Sequence, residues 1–218
     1  MSWFQLDPQS IATRARAADS PVPSLGASLL RGMAGFTIVS VAGFVPWAVF
    51  GRWFHLHLGK NGEVGMYVAC AIVFLALTSP LLHRLIIGPG SMSRFYKVFC
   101  PAFAAYSVAW TVCWMKLHGH LGSIAGLLAG TMVMACMLVA AFDALRSVVK
   151  VFFALFLLNA IGYFVGGLSE AAIIKQYPLY KMYAMLSWGV FYGIGLGAGL
   201  GLAFHICQAR ARKLLAAG

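Results

Sequence analysis

From residue 26 to residue 208 the chain alternates between long apolar runs and short polar interruptions. Six runs stand out, at roughly 30–50, 64–86, 97–116, 121–142, 149–169 and 180–206. Each is near the ~20 residues that an α-helix needs to cross the hydrocarbon of a bilayer. Lipid offers no partner to a bare N–H or C=O, so a spanning segment of this kind must be helical. The pattern predicts an all-α, polytopic membrane protein: a bundle of six transmembrane helices with short loops. Three zones follow: an N-terminal segment over 1–25, a transmembrane domain over 26–208 and a basic tail over 209–218. Within the first, Asp7-Pro8 reads as an N-cap followed by proline at the first helical position. This predicts a short interfacial helix through Arg14 and Arg16, broken by Ser20-Pro21-Val22-Pro23-Ser24. No signal-peptide core precedes residue 26, so the first span is expected to act as the membrane anchor.

Composition agrees with lipid as the solvent. Of the 218 residues 61% are hydrophobic and only 10% charged, against about 25% charged in a soluble domain; the mean hydropathy is +0.86. The net charge is +11, which in a soluble protein would point to nucleic acid. Here the basic residues sit at the ends of the apolar runs, with no stripe to follow a phosphate backbone, so no nucleic-acid partner is expected. One side of the proposed membrane collects Arg14, Arg16, Arg31, Arg84, Arg94, Lys97, Arg146, Lys150, Arg210, Arg212 and Lys213. The other collects Arg52, Lys60, Lys116, Lys175 and Lys181. The positive-inside rule then places both termini in the cytoplasm, with a bacterial inner membrane as the expected compartment. Trp47, Trp53, Trp110, Trp114, Tyr177, Tyr180 and Tyr183 fall at the outer span ends, where amphipathic rings prefer headgroup level.

Glycine carries the strongest motif. In span six Gly189, Gly193, Gly197 and Gly201 recur every four residues, and Gly195 and Gly199 form a second series. Four residues advance a helix by about 400°, so each series lines one slowly drifting groove. Span four has Gly122, Gly126 and Gly130, and span five has Gly162 and Gly166. Small residues at this spacing let helix backbones approach closely in lipid. Three occupants fit these grooves: helices of the same chain, a second copy or another membrane subunit, or a solute passing along exposed carbonyls.

Candidate chemistry is sparse. The five acidic residues, Asp7, Asp19, Glu63, Asp143 and Glu170, all fall at span ends or outside spans, and no Lys or Arg is expected at mid-membrane. Ion-coupled transport normally leaves an ionisable group there. Asp143 and Arg146 are three apart, which fits an ion pair at the turn between spans four and five. Asn159 and Thr131 are the polar side chains placed to line a path between spans four, five and six, and Asp143 and Arg146 are alternatively a polar lining at its mouth. His55 and His57 follow span one and His118 and His120 follow span three; together they compose a candidate outer-face zinc or copper site. His83 and His205, both near the cytoplasmic face, are a conceivable axial haem pair. Cys70, Cys100, Cys113, Cys136 and Cys207 show no paired spacing, so they form no disulfide framework. Thr78 and Ser79 stand beside Pro80, where they are expected to satisfy the carbonyl that the proline frees. Catalytic motifs such as G-x-S-x-G, H-E-x-x-H and the phosphate-binding G-x-x-x-x-G-K are missing, and no cofactor is identified.

The sequence reading is therefore a multi-pass membrane protein acting as a structural or interaction subunit through glycine-mediated helix packing. Its partners would be the bilayer and either further copies or other membrane subunits. The alternatives are a passive channel or facilitator for a small neutral solute, and a membrane metal protein or enzyme using the outer histidines.

Overall fold

The computed structural model describes residues 4–217; residues 1–3 and 218 of the terminal segments lie outside the described residues. Eight α-helices occur among the described residues: α1 (Pro8–Ala17), α2 (Leu25–Leu58), α3 (Gly62–Leu82), α4 (Ser91–Leu117), α5 (Gly119–Ala141), α6 (Val148–Gln176), α7 (Lys181–Cys207) and α8 (Ala209–Ala216). The six long ones, α2 to α7, correspond to the six apolar runs. By length and composition five helical stretches can cross a membrane, the first being Leu25–Leu85 with 61 residues. That stretch folds back on itself, so it holds two crossings. Its reversal is a 3-10 turn at Gly59–Asn61. Gly59 there has φ +54°, a conformation glycine adopts without steric cost.

Consecutive helices are antiparallel, as the close approaches at glycine show. Gly35 meets Leu82, Gly43 meets Phe74 and Gly62 meets His55, which fixes α2 against α3. α7 lies between α2 and α6, α4 packs along α5, and the α5–α6 and α3–α4 contacts close the ring. The centre is aromatic. Phe36 is fully buried and has the rings of Phe74, Phe99, Phe103 and Tyr192 at centroid distances of 6.0 to 6.4 Å. Along α4 the rings of Phe95, Phe99, Phe103 and Tyr106 stack in a column. Large apolar side chains face outward instead, Leu30, Ile72, Val108 and Ile161 being 60 to 67% exposed. A surface of this kind is stable against lipid, not water.

Both chain ends lie at one end of the bundle. α1 packs on α8, and the Arg16 guanidinium donates to the Leu214 carbonyl. α1 begins as its sequence predicts, with Asp7 Oδ1 accepting from the Ser10 N–H at 2.9 Å and Pro8 at the first helical position. The last ten residues, read from sequence as a basic tail, carry the helix α8. Between α3 and α4 the chain buries Leu85, Ile86 and Ile87. Gln208, 2% exposed, holds this segment: its Oε1 accepts from the Ile87 N–H at 2.8 Å, and its Nε2 donates to the Leu85 carbonyl at 2.8 Å.

Pro80 sits inside α3 and removes the donor that would serve the Ala76 carbonyl four residues earlier. The expected local repair by Thr78 and Ser79 does not occur there. Thr78 bonds back to the Phe74 carbonyl, and Ser79 reaches the Met92 carbonyl at 2.9 Å. Tyr96 of α4 supplies the donor instead, its hydroxyl lying 2.8 Å from the Ala76 oxygen. Ser79, three residues on, has the spacing for such a bond, as Ser187 has to the Ala184 carbonyl, but its hydroxyl is turned to Met92 on the neighbouring segment, and a tyrosine on the next helix takes the freed carbonyl. Tyr96→Phe is expected to cost about 1 kcal/mol of unfolding free energy. In Pro80→Ala, which restores the internal donor, the same change should cost much less. A double-mutant cycle on thermal unfolding in detergent measures this coupling, and a coupling energy of zero would refute the assignment.

Candidate functional site

α7 carries two glycine grooves, and both are filled by helices of this chain. The series Gly189, Gly193, Gly197 and Gly201 faces α2. A Cβ placed at Gly193 would lie 2.5 Å from the Thr37 Cα and 3.0 Å from the Ser40 Cβ; one at Gly197 would lie 3.0 Å from the Met33 Cα. At Gly201 the opposing atoms belong to Ser28 and Leu29, and at Gly189 to Phe44 and Val41. The second series faces α6: a Cβ at Gly195 would lie 2.7 Å from the Gly162 Cα, and one at Gly199 would lie 3.3 Å from the Leu155 Cα. At Gly193, Gly195, Gly197 and Gly201 backbone meets backbone closer than a residue with a side chain allows; Gly189 receives the Phe44 ring, and Gly199 is tight without a clash. α7 is thus wedged between two partners by two faces of one helix.

Of the remaining motif glycines, Gly126, Gly130 and Gly166 receive aromatic side chains, while Gly122 meets the main chain of Trp114 and Cys113. Gly122, Gly126 and Gly130 of α5 face Trp114, Trp110 and Tyr106 of α4 in antiparallel register. Gly166 forms a notch for Trp188, whose indole Nε1 donates to the Tyr163 carbonyl at 3.0 Å. Sequence reading missed the complementary face on α2, where Ser28, Gly32 and Ser40 present small side chains to α7. The signal was present as Ser28-x-x-x-Gly32, a short repeat easily lost inside a long apolar run.

One polar cluster lies at the centre of the bundle. Asn159, fully buried on α6, donates from Nδ2 to the Tyr106 hydroxyl of α4 at 3.0 Å. The Tyr192 hydroxyl of α7 donates to the same oxygen at 3.4 Å. Three helices therefore meet at Tyr106. Asn159 Oδ1 has no protein partner, nor do the buried hydroxyls of Ser40 and Thr37. Thr131 is separate from this cluster; its hydroxyl bonds back to the Leu127 carbonyl at 2.6 Å, the usual way a hydroxyl is accommodated inside an apolar helix. The two tyrosines could not be assigned from sequence, since nothing in the apolar pattern marks which ring points inward.

The expected pair of Asp143 with Arg146 is replaced by another. Asp143 pairs with Arg210 of α8 at 3.4 Å, with both side chains largely exposed. The reason is local: Asp143 has φ +51°, so it leaves the α5 helix and no helical spacing relates it to Arg146. An exposed pair of this kind contributes little to stability. Among the described residues no three His, Cys, Asp or Glu side chains come together as a metal-ligand set, so His55, His57, His118 and His120 are not assembled into one. His57 and His118 each turn Nδ1 to a carbonyl one turn back, that of Trp53 and Trp114 respectively, at 2.9 Å. His83 does the same with the Ser79 carbonyl at 3.1 Å.

Two open hollows lie at the surface. One, of about 410 Å³, is bounded by Pro46, Phe50, Trp53, Phe54 and Ala69. The other, of about 310 Å³, is bounded by Ile173, Tyr177, Tyr180 and Tyr183. Comparison with protein-family models, with curated proteins and with solved structures gives no match to this chain.

Proposed function

We propose that this multi-pass membrane protein serves as a rigid structural or interaction subunit of a bacterial inner membrane, with both termini in the cytoplasm. The observation that carries the reading is the double seam of α7, whose glycines admit the backbones of α2 and α6 at once. A helix held this way has few alternative packings, because sliding by one residue sets side chains against backbone. Rigidity suits a scaffold. It does not suit a facilitator, whose path between α5, α6 and α7 would require the Gly162–Gly195 contact to part. The groups at the bundle centre are neutral tyrosine, asparagine, serine and threonine, which gives no support to a proton or ion relay. Orientation rests on charge: the end that carries α1 and α8 also holds most of the 16 basic residues. Because the glycine grooves are occupied internally, the partner would meet the outward apolar faces.

Native mass spectrometry from mild detergent tests the reading. The expected species is larger than the 23.4 kDa chain, either a multiple of it or a complex with a second membrane subunit. A strictly monomeric particle with nothing co-purifying, at expression from its own chromosomal locus, would overturn it.

A further inference from the structure

We propose that Arg14 and Arg94 form a binding site for a phosphate-bearing anion at the end of the bundle where the chain termini meet. Arg94 is 8% exposed, although it carries a full charge. It lies in the first turn of α4, where a cation opposes the helix dipole. Gly90 caps that helix without a side-chain hydrogen bond, so both the helix end and the guanidinium concentrate positive potential. Arg94 Nε donates to the Gly90 carbonyl at 3.3 Å and Nη2 donates to the Pro89 carbonyl, while Nη1 is buried without a partner.

Arg14 stands across the same loop. A Cβ at Gly88 would lie 3.8 Å from the Arg14 Cβ, and one at Gly90 would lie 3.9 Å from Arg94 Nη2. Both arginines thus lie against the Gly88-Pro89-Gly90 turn, and Arg14 is the charge that bears on Arg94. Asp7 acts on Arg14. Arg14 Nη1 and Nη2 are held by the side chain and carbonyl of Gln5, both neutral, and its Nε is buried without a partner. Gln5 itself has φ +51°, a strained conformation for a residue with a side chain. Two guanidiniums beside one turn, each with an unused donor and hydrogen-bonded to neutral oxygens, outweigh the single Asp7 carboxylate that acts on Arg14 and match an anion with several acceptor oxygens. Arg14 is half-exposed and gives the route in, with Gln5 as the group displaced. At the end of an apolar helix the chemistry fits the phosphate of an anionic phospholipid, and a soluble phosphate would use the same donors.

The test uses the full chain in mild detergent and reads thermal unfolding in separate titrations with phosphatidylglycerol, phosphatidylcholine and inorganic phosphate. Phosphatidylglycerol should raise the midpoint by about 5 °C at roughly a hundredfold excess over half-saturation, and phosphatidylcholine should not. Arg94→Gln and Arg14→Gln should each weaken that response about tenfold or more. Arg146→Gln, exposed on the α5–α6 turn, removes the same charge and should leave it within about twofold. An equal, Arg94-dependent response to inorganic phosphate assigns the site to a soluble phosphate; silence in that arm assigns it to lipid. Should Arg94→Gln fail to fold, Arg14→Gln alone decides. Equal responses to the two lipids, or an unchanged response in the arginine variants, overturn the site. The outcome is independent of whether the protein is a subunit of a larger assembly.

Discussion

Replacing Gly197 with leucine is expected to abolish the folded bundle in detergent or to lower its unfolding free energy by about 3 kcal/mol or more. A Cβ at this position would lie 2.8 Å from the carbonyl carbon of Gly32 and 3.0 Å from the Met33 Cα. Those are main-chain atoms of a helix that is itself held against α3, so no flexible side-chain end can yield. The insertion must push α2 and α7 apart, and with them the small-residue faces that meet over about three turns. Gly167→Leu is the matched control. Nothing lies within 4 Å of a Cβ built there, and leucine is the better helix former by about 0.8 kcal/mol in water. Thermal unfolding followed by circular dichroism distinguishes the two. Equal midpoints would mean that the α2–α7 seam is not a tight contact and would remove the basis for the scaffold reading.

Gln208→Leu is expected to cost about 3 kcal/mol and to expose the α3–α4 connection to protease. The side chain is buried, and it alone bonds the Ile87 N–H and the Leu85 carbonyl across more than 120 residues of sequence. Leucine matches its volume but leaves one buried donor and one buried acceptor without partners, each worth about 1–3 kcal/mol. The Phe204 carbonyl, which Gln208 Nε2 also reaches, keeps its helical bond from the Gln208 N–H at 3.2 Å. The loss is therefore confined to the loop. Limited proteolysis should cut within 83–90 in the variant and not in the parent. A variant that unfolds and resists cleavage as the parent does would show that the segment is held by burial of Leu85, Ile86 and Ile87 alone.

Much of the architecture is legible in the apolar pattern because the bilayer enforces it. Each long run must form a helix once water is excluded, and the short polar breaks must be turns. The N-cap at Asp7 was legible for a similar reason, since Asp-Pro constrains the backbone within two residues. The glycine series announced close packing, since no other residue lets two helix backbones touch. It did not announce which helices. α7 meets α2 from the far end of the chain, and the small face of α2 at Ser28, Gly32 and Ser40 is hidden among residues of ordinary hydropathy.

Polar pairings were the least legible. Asp143 faced Arg146 on paper, but a left-handed residue at the end of α5 turned it toward Arg210. Pro80 had two hydroxyls beside it, yet its freed carbonyl is served by Tyr96 from another helix. A hydrogen bond depends on direction over about 3 Å, which one displaced dihedral can alter, whereas hydropathy sums over twenty residues and survives local detail. The sequence by itself therefore determined the solvent, the helices and the fact of close approach. Only the tertiary structure decided which faces meet, which polar groups find partners, and that Arg14 and Arg94 stand together with donors to spare.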